Sequence, residues 1–370
     1  MNILIGATYQ SPYAGNFIAS LLELAERERE QGNNIFFIFP LRKEGERPWA
    51  NWLRSFGYRV EMLDVTLPEA QQLACLKELT ETNKISLFYF HFGFLQRMIL
   101  RNRKVFKDVK VFFHDHMGFS TEVSLKKQIL RSILRSGYYK INHIGVVFIL
   151  KEKYKAYCLL GDDRWLVPNG ISFHRLSRSD QSRVAVRRAL SIPQESQLFL
   201  MLAWDMRVKG ADVAIRAAVE ARKKAPKIEL AIVIQENRPT ENDLIYLREA
   251  TGLDVEKESW IHFIPSTEDI FSYYLMADGF ISASRSESFS YGVLEAISQN
   301  RPVILSNIPG TKWAETYTKS AVYPVEDPFA CAEAMLQLEH LAQAPTNADE
   351  IIDKYSIDKW CVSITNILHS

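Results

Sequence analysis

Cysteine is scarce. The chain has 370 residues and four cysteines, Cys75, Cys158, Cys331 and Cys361, scattered without metal-ligand spacing. That excludes a disulfide-stapled small scaffold and a cysteine-built zinc site, and it predicts reduced thiols in a cytosolic protein. No run of about 18 apolar residues occurs, so no transmembrane helix is expected. The opening stretch "MNILIGATYQSPYAG" has neither a basic n-region nor a long apolar run, so no signal or transit peptide is expected. Net charge is only +1, which offers no overall pull on a polyanion, and nucleic acid is not an expected partner. Short internal repeats and low-complexity tracts are also missing.

What is present is ordinary for a globular protein, 47% hydrophobic and 24% charged residues, with enough length for two full cores. Charge is unevenly spread. Residues 1–170 hold 24 Lys and Arg against 17 Asp and Glu, whereas the remainder holds 21 against 27. The first half is therefore the part suited to an anionic surface or ligand. Apolar strand-like runs alternate with helical patterns throughout: 2–7, 34–39, 58–63, 85–90, 110–114 and 144–148, then 197–203, 228–234, 260–264, 279–284 and 302–306. Near-continuous apolar strands separated by amphipathic stretches predict parallel sheets covered on both faces. "VPNGISFHRLSRSDQSR" (167–183) reads as a connection between halves. The expected architecture is α/β, two doubly wound domains, with ligands beyond the carboxyl ends of the strands and a cleft where the domains face each other.

Five segments at strand ends could carry chemistry. Gly15 and Asn16 stand at the mouth of a helix, where free amides and the helix dipole can hold a phosphate; a plain strand–loop–helix connection serves the same spacing. In "LAWDMRVKGADVAIRA" (202–217), Arg207 and Lys209 precede a helix opened by Gly210. Two cations there suit a diphosphate, or are two solvated loop charges. His91, in "FHFGF", and His114 and His116, in "FFHDHMGF", follow strands and can bond a sugar hydroxyl or a carbonyl. The His-Asp-His stretch also invites a metal, but no third ligand cluster is visible and adjacent strand residues point apart. Finally, in "SRSESFSYGVLEAISQNRPVILSN" (284–307), Glu287 sits on a loop and Glu295 lies within the next helix. One carboxylate can accept bonds from vicinal sugar hydroxyls and the other from a ribose diol, while the loop offers amides to an anion.

These segments together resemble glycosyltransferase family 4, retaining enzymes of the GT-B fold. The Glu-x7-Glu motif is Glu287 and Glu295 in "ESFSYGVLEA", with Phe289, Leu294 and Ala296 also matching. "VPNGIS", "VKGADVAIRA" and "NRPVILSNIPGTKWAE" resemble three further family motifs. The resemblance covers nearly the whole chain, strongly over 165–335. It implies a GT-B pair of Rossmann-like domains: an acceptor-side domain over 1–168, a nucleotide-sugar-binding domain over 169–352, and a C-terminal helix, 353–370, packing back on the first domain. It implies that Glu287 holds donor-sugar hydroxyls and that the amides of Phe289, Ser290 and Tyr291 contact sugar and phosphate. Glu295 binds the ribose, Lys209 neutralises the leaving diphosphate, Gly15 gives it an amide, and His114 lies beside the donor sugar. No cofactor and no metal are expected, since cations and helix N-termini stabilise the leaving group. The mechanism implied is front-face displacement with retention. UDP is the default nucleotide on family frequency.

The chain departs from the family pattern at two places. The arginine expected five residues before Lys209 is Trp204, a loss Arg207 is placed to offset, and the usual Gly-Leu after Phe289 is Ser290-Tyr291. "STEVSLKKQILRSILRSGYYK" (120–140) is amphipathic and basic, which suits anionic lipid bearing a polyprenyl-linked acceptor, or an ordinary surface helix. The expectation is a cytoplasmic transferase, peripheral at the inner face of the membrane, acting on a nucleotide-sugar and a glycan acceptor. The rival is a non-catalytic GT-B subunit that binds glycan and supports a partner enzyme.

Overall fold

The computed structural model describes every residue of the chain except 10, 12, 42–44, 119–123, 173–181 and 236–237. Parts of the expected connection (167–183) and of the basic segment (120–140) therefore lie outside the described residues. Contacts divide the chain into two units, Met1–Gly170 with Ile357–Ser370, and Ile171–Ser356.

The first unit is built on seven parallel strands, β1 Asn2–Ala7, β2 Asn34–Leu41, β3 Arg59–Asp64, β4 Leu87–His91, β5 Lys110–Asp115, β6 Ile144–Phe148 and β7 Arg164–Leu166. Their order is β3-β2-β1-β4-β5-β6-β7. β4 and β6 are buried at every position, as strands covered on both faces must be. Helix Ile357–Leu368 also belongs here. It buries Ile357, Trp360, Cys361, Ile364, Ile367 and Leu368 in the same core as Ile3, Leu21 and Phe37, each large side chain stabilising by about 1.5–3 kcal/mol. Its end is pinned to fully buried Glu28, which accepts from Thr365 Oγ1 at 2.7 Å and pairs with His369 at 2.9 Å.

The second unit has six parallel strands, β8 Gln197–Leu202, β9 Ile228–Ile234, β10 Ile261–Pro265, β11 Gly279–Ser282, β12 Val303–Ser306 and β13 Ser320–Tyr323, ordered β10-β9-β8-β11-β12-β13. Among the described residues, eleven of thirteen strands match apolar runs in the sequence. The two that do not, β7 and β13, are the last strands at the edges of their sheets, three and four residues long and mostly only partly buried.

Both sheets reverse direction once. In the first the order turns between β1 and β4, and in the second between β8 and β11. The crevice at the carboxyl ends of such neighbours is where doubly wound sheets bind ligands. The loops after β8 and β11 carry Arg207, Lys209 and Glu287, while Gly15 opens the helix that follows β1 and His114 lies near the carboxyl end of β5.

Candidate functional site

In the second unit the loops after β8 and β11 are locked together by backbone. Val208 O accepts from the Arg285 amide at 2.9 Å, and Asp205 Oδ1 caps the Val208 amide at 2.8 Å. Gly210 adopts φ +69°, and a Cβ there would lie 2.1 Å from the Ala283 carbonyl oxygen, so only glycine lets the loops approach this closely. A second lock comes from the segment after β12. A Cβ on Gly310 would fall 2.3 Å from the Glu287 carbonyl oxygen, and Ser306 Oγ donates to Ser284 O at 2.7 Å.

On this frame Lys209 Nζ and Glu287 Oε1 form an ion pair, with both side chains largely buried at 14% and 12% exposure. Ser284 Oγ donates to the same Glu287 oxygen at 3.1 Å. Lys209 Nζ also lies 5.7 Å from the ring centroid of Trp204, whose side chain is 60% exposed. The position where the family pattern has arginine thus supplies an aromatic face beside the lysine. On the same loop the Arg207 guanidinium rests over the Tyr246 ring at 4.6 Å. Its carbonyl accepts from Arg285. Arg285 itself grips Asp212 with two 2.9 Å bonds. Burial pushes the Asp212 carboxyl up, but the Arg285 and Tyr246 hydrogen bonds outweigh it and hold the group below its ordinary value.

The helix Tyr291–Ser298 begins just past Glu287. Its cap, Ser290, makes no side-chain cap bond, so this helix end presents first-turn amides and the positive end of its dipole. Phe289, just before it, is buried with its ring stacked on Trp313 at 4.7 Å and 11° and edge-on to Tyr355. The ring anchors the loop. The Tyr291 ring stands 6.0 Å from that of Phe289. Glu295 is buried within the helix and accepts from the Tyr274 hydroxyl at 2.7 Å. Burial, and then the Glu295 charge, push the Tyr274 hydroxyl well above its ordinary value, so it stays a donor. Sequence reasoning missed Tyr274, because it reaches Glu295 from a different helix, Ile270–Met276, and no local pattern marks it.

In the first unit Gly15 opens the helix Gly15–Glu30 with φ +57°. His114 is 1% exposed, and its Nδ1 shares a 2.6 Å hydrogen bond with the Tyr89 hydroxyl. The structure revises one ground on which a metal was set aside at His-Asp-His, the absence of a third ligand. His114 and His116 are two residues apart, so they share a face, with ring centroids 4.2 Å apart. The third imidazole is His91, the register partner of His114 across β4 and β5. Asp115, between them, instead pairs with Lys153 at 3.0 Å. Burial holds the His114 imidazole down at about 3, and holds His91 and His116 well below the ordinary histidine value.

Comparison with known proteins adds to the second unit first. Residues 182–355 match the family Glycosyl transferases group 1. The group 1 match covers most of that unit, including Lys209, Glu287 and Glu295. Among curated proteins, the chain is 22% identical over 316 residues to an alpha-monoglucosyldiacylglycerol synthase of Streptococcus pneumoniae, covering 79% of this chain and 68% of the relative. It is 24% identical over 197 residues to a putative teichuronic acid biosynthesis glycosyltransferase of Bacillus subtilis, covering 53% of this chain and 46% of that one. Among solved structures, Anabaena HepE in complex with UDP and glucose superposes with a TM-score of 0.80 at 15% identity, covering 100% of this chain and 99% of that one. WaaG, a glycosyltransferase of lipopolysaccharide biosynthesis, gives 0.68 at 14%, covering 100% and 99%. These likenesses establish the GT-B architecture of two Rossmann-like units.

Proposed function

We propose that the chain is a retaining, nucleotide-sugar-dependent glycosyltransferase that extends a lipid-linked acceptor in cell-surface glycan synthesis. The observation that carries this reading is the Lys209–Glu287 pair, set at the reversal point of the sheet in the unit that matches group 1. The pair joins a cation suited to a diphosphate and a carboxylate suited to sugar hydroxyls.

Lys209 exchanges Glu287 for the diphosphate as negative charge grows on the leaving oxygen, and the amides of Phe289, Ser290 and Tyr291 share that charge. Glu287, released from the pair, accepts from the donor sugar's hydroxyls near the positive charge that builds on the ring. Glu295, held by Tyr274, takes the ribose diol. By resemblance, Gly15 gives an amide to the diphosphate and His114 lies beside the sugar. The departing diphosphate takes the acceptor's proton, which fits the lack of a dedicated base among the residues singled out. Cations and helix amides do the work, so transfer requires no metal.

The acceptor reading rests on the helix Leu125–Ile141. Leu130, Leu134 and Ile141 are exposed on one side of it, beside Lys126, Lys127 and Arg131. An exposed apolar face framed by lysine and arginine suits an anionic membrane surface, and so a lipid-linked acceptor at the cytoplasmic face. Among the described residues no helix is long and apolar enough to cross a membrane.

The test is a thermal-shift panel of UDP, GDP, ADP, CMP and dTDP without added metal, on the intact chain and on Lys209→Ala. One nucleotide diphosphate, UDP by expectation, should raise the melting temperature; saturation to a hundred times Kd contributes about 2.7 kcal/mol. Lys209→Ala should lose most of that shift. No shift with any nucleotide sinks the reading in favour of a non-catalytic glycan-binding subunit, and an equal shift in the variant moves the phosphate site elsewhere.

A further inference from the structure

The cluster of His91, His114 and His116 is a built site that the transfer chemistry leaves largely unused. All three rings are buried, and one nitrogen from each lies within 4.8 Å of the others. His91 Nδ1 and His116 Nε2 approach to 2.8 Å. His91 Nε2 and His114 Nε2 are buried, and neither has a hydrogen-bond partner among the described residues. Two orphaned ring nitrogens in a dry place are costly, and such groups ask for an explanation.

We infer that this cluster binds a divalent first-row transition-metal ion, zinc by preference, through three imidazoles with a fourth position open. Zinc sets nitrogens about 2.1 Å away and so about 3.4 Å from one another, a separation within the 4.8 Å that spans one nitrogen of each ring. An all-imidazole set suits zinc, copper or nickel and disfavours magnesium or calcium. The surroundings are those of a metal site as well. With Nδ1–H of His114 donating to the Tyr89 oxygen, Nε2 presents its lone pair, which fixes tautomer and ring orientation. Phe17 and Phe92 stand against His116 at 5.4 Å and 4.4 Å, and Trp360 is stacked toward His114 at 6.3 Å. This apolar shell excludes water and strengthens ligation. β4 and β5 hold His91 and His114 at a fixed register, and His116 follows β5 directly.

The inference does not depend on the transfer reading, and its test reads binding alone. The untagged full chain, stripped with a chelator, is titrated with Zn2+ against a chromophoric competitor, and separately with Co2+. One equivalent per chain is expected, with the intense visible bands of four-coordinate cobalt. His116→Gln should abolish the 1:1 event. Tyr89→Phe should weaken it by about 10-fold to 100-fold, the usual cost of losing an orienting partner. Should His116→Gln fail to fold, electron paramagnetic resonance of the Cu2+ form of the unaltered chain counts the ligands instead. Three coupled nitrogens support the site. Fewer than three, no stoichiometric binding, or binding that survives in a folded His116→Gln, overturns it.

Discussion

Glu287 and Lys209 each satisfy the other in the free protein, and that mutual satisfaction makes Glu287 testable. The carboxylate has two donors, Lys209 Nζ and Ser284 Oγ. Glu287→Gln keeps the shape and a hydroxyl partner but removes the charge. Transfer should fall by at least about 10-fold, because a carboxylate near a developing cation contributes far more in the transition state than a neutral amide does. Stability should fall by no more than about 3 kcal/mol, the low end of the cost of breaking a buried pair, since the lysine keeps some contact with water. Sugar transfer measured beside a thermal melt separates the two effects; unchanged transfer in a folded variant removes Glu287 from its assigned role. At this scale legibility depends on sequence distance. Lys209, Glu287 and Glu295 are marked by short-range spacing, each within a single loop or helix. Tyr274, Arg285 and His91 were not given their roles, because their partners lie on other elements and are set by packing or strand register.

The elements hold these residues through backbone contacts between loops. Gly310 shows how. Its position in the family-like "NIPGTKWAE" stretch hints at importance, but the reason is steric and visible only in three dimensions: a methyl group there meets the Glu287 carbonyl oxygen at 2.3 Å and the Glu287 carbonyl carbon at 2.5 Å. Backbone cannot rotate out of the way as a side-chain tip can. Gly310→Ala should therefore shift the Glu287 loop and cost about 1–3 kcal/mol, the range for overpacking, with transfer falling alongside. A melt and a donor-hydrolysis assay check it, and a variant as stable and active as the parent contradicts the lock. The strands themselves were largely readable because burial on both faces demands apolar runs. β7 and β13 escaped because they are only three and four residues long and mostly partly buried, which leaves no apolar run to read.

For the molecule as a whole, the charge division along the chain places the basic excess in the half that holds the helix Leu125–Ile141. Charge alone would give a salt-sensitive attraction that fades within a Debye length of about 8–10 Å. The exposed leucines add what charge cannot, an apolar face that enters the headgroup boundary. Leu130 and Leu134 are 58% and 67% exposed. Replacing both by aspartate removes apolar area and opposes the anionic surface at once. Partition onto vesicles containing anionic lipid should drop by at least about 10-fold, given about 0.8 kcal/mol per buried methylene and about 1 kcal/mol per juxtamembrane charge. The nucleotide-induced thermal shift should stay as in the parent, because the substituted residues belong to the first unit and the group 1 match to the second. Sedimentation with vesicles over a salt series gives the measurement. If the double variant sediments with anionic vesicles as well as the parent at every salt concentration, this helix is a surface element only. The lipid-linked acceptor would then lose its structural support, while the donor chemistry at Lys209 and Glu287 would stand unaffected.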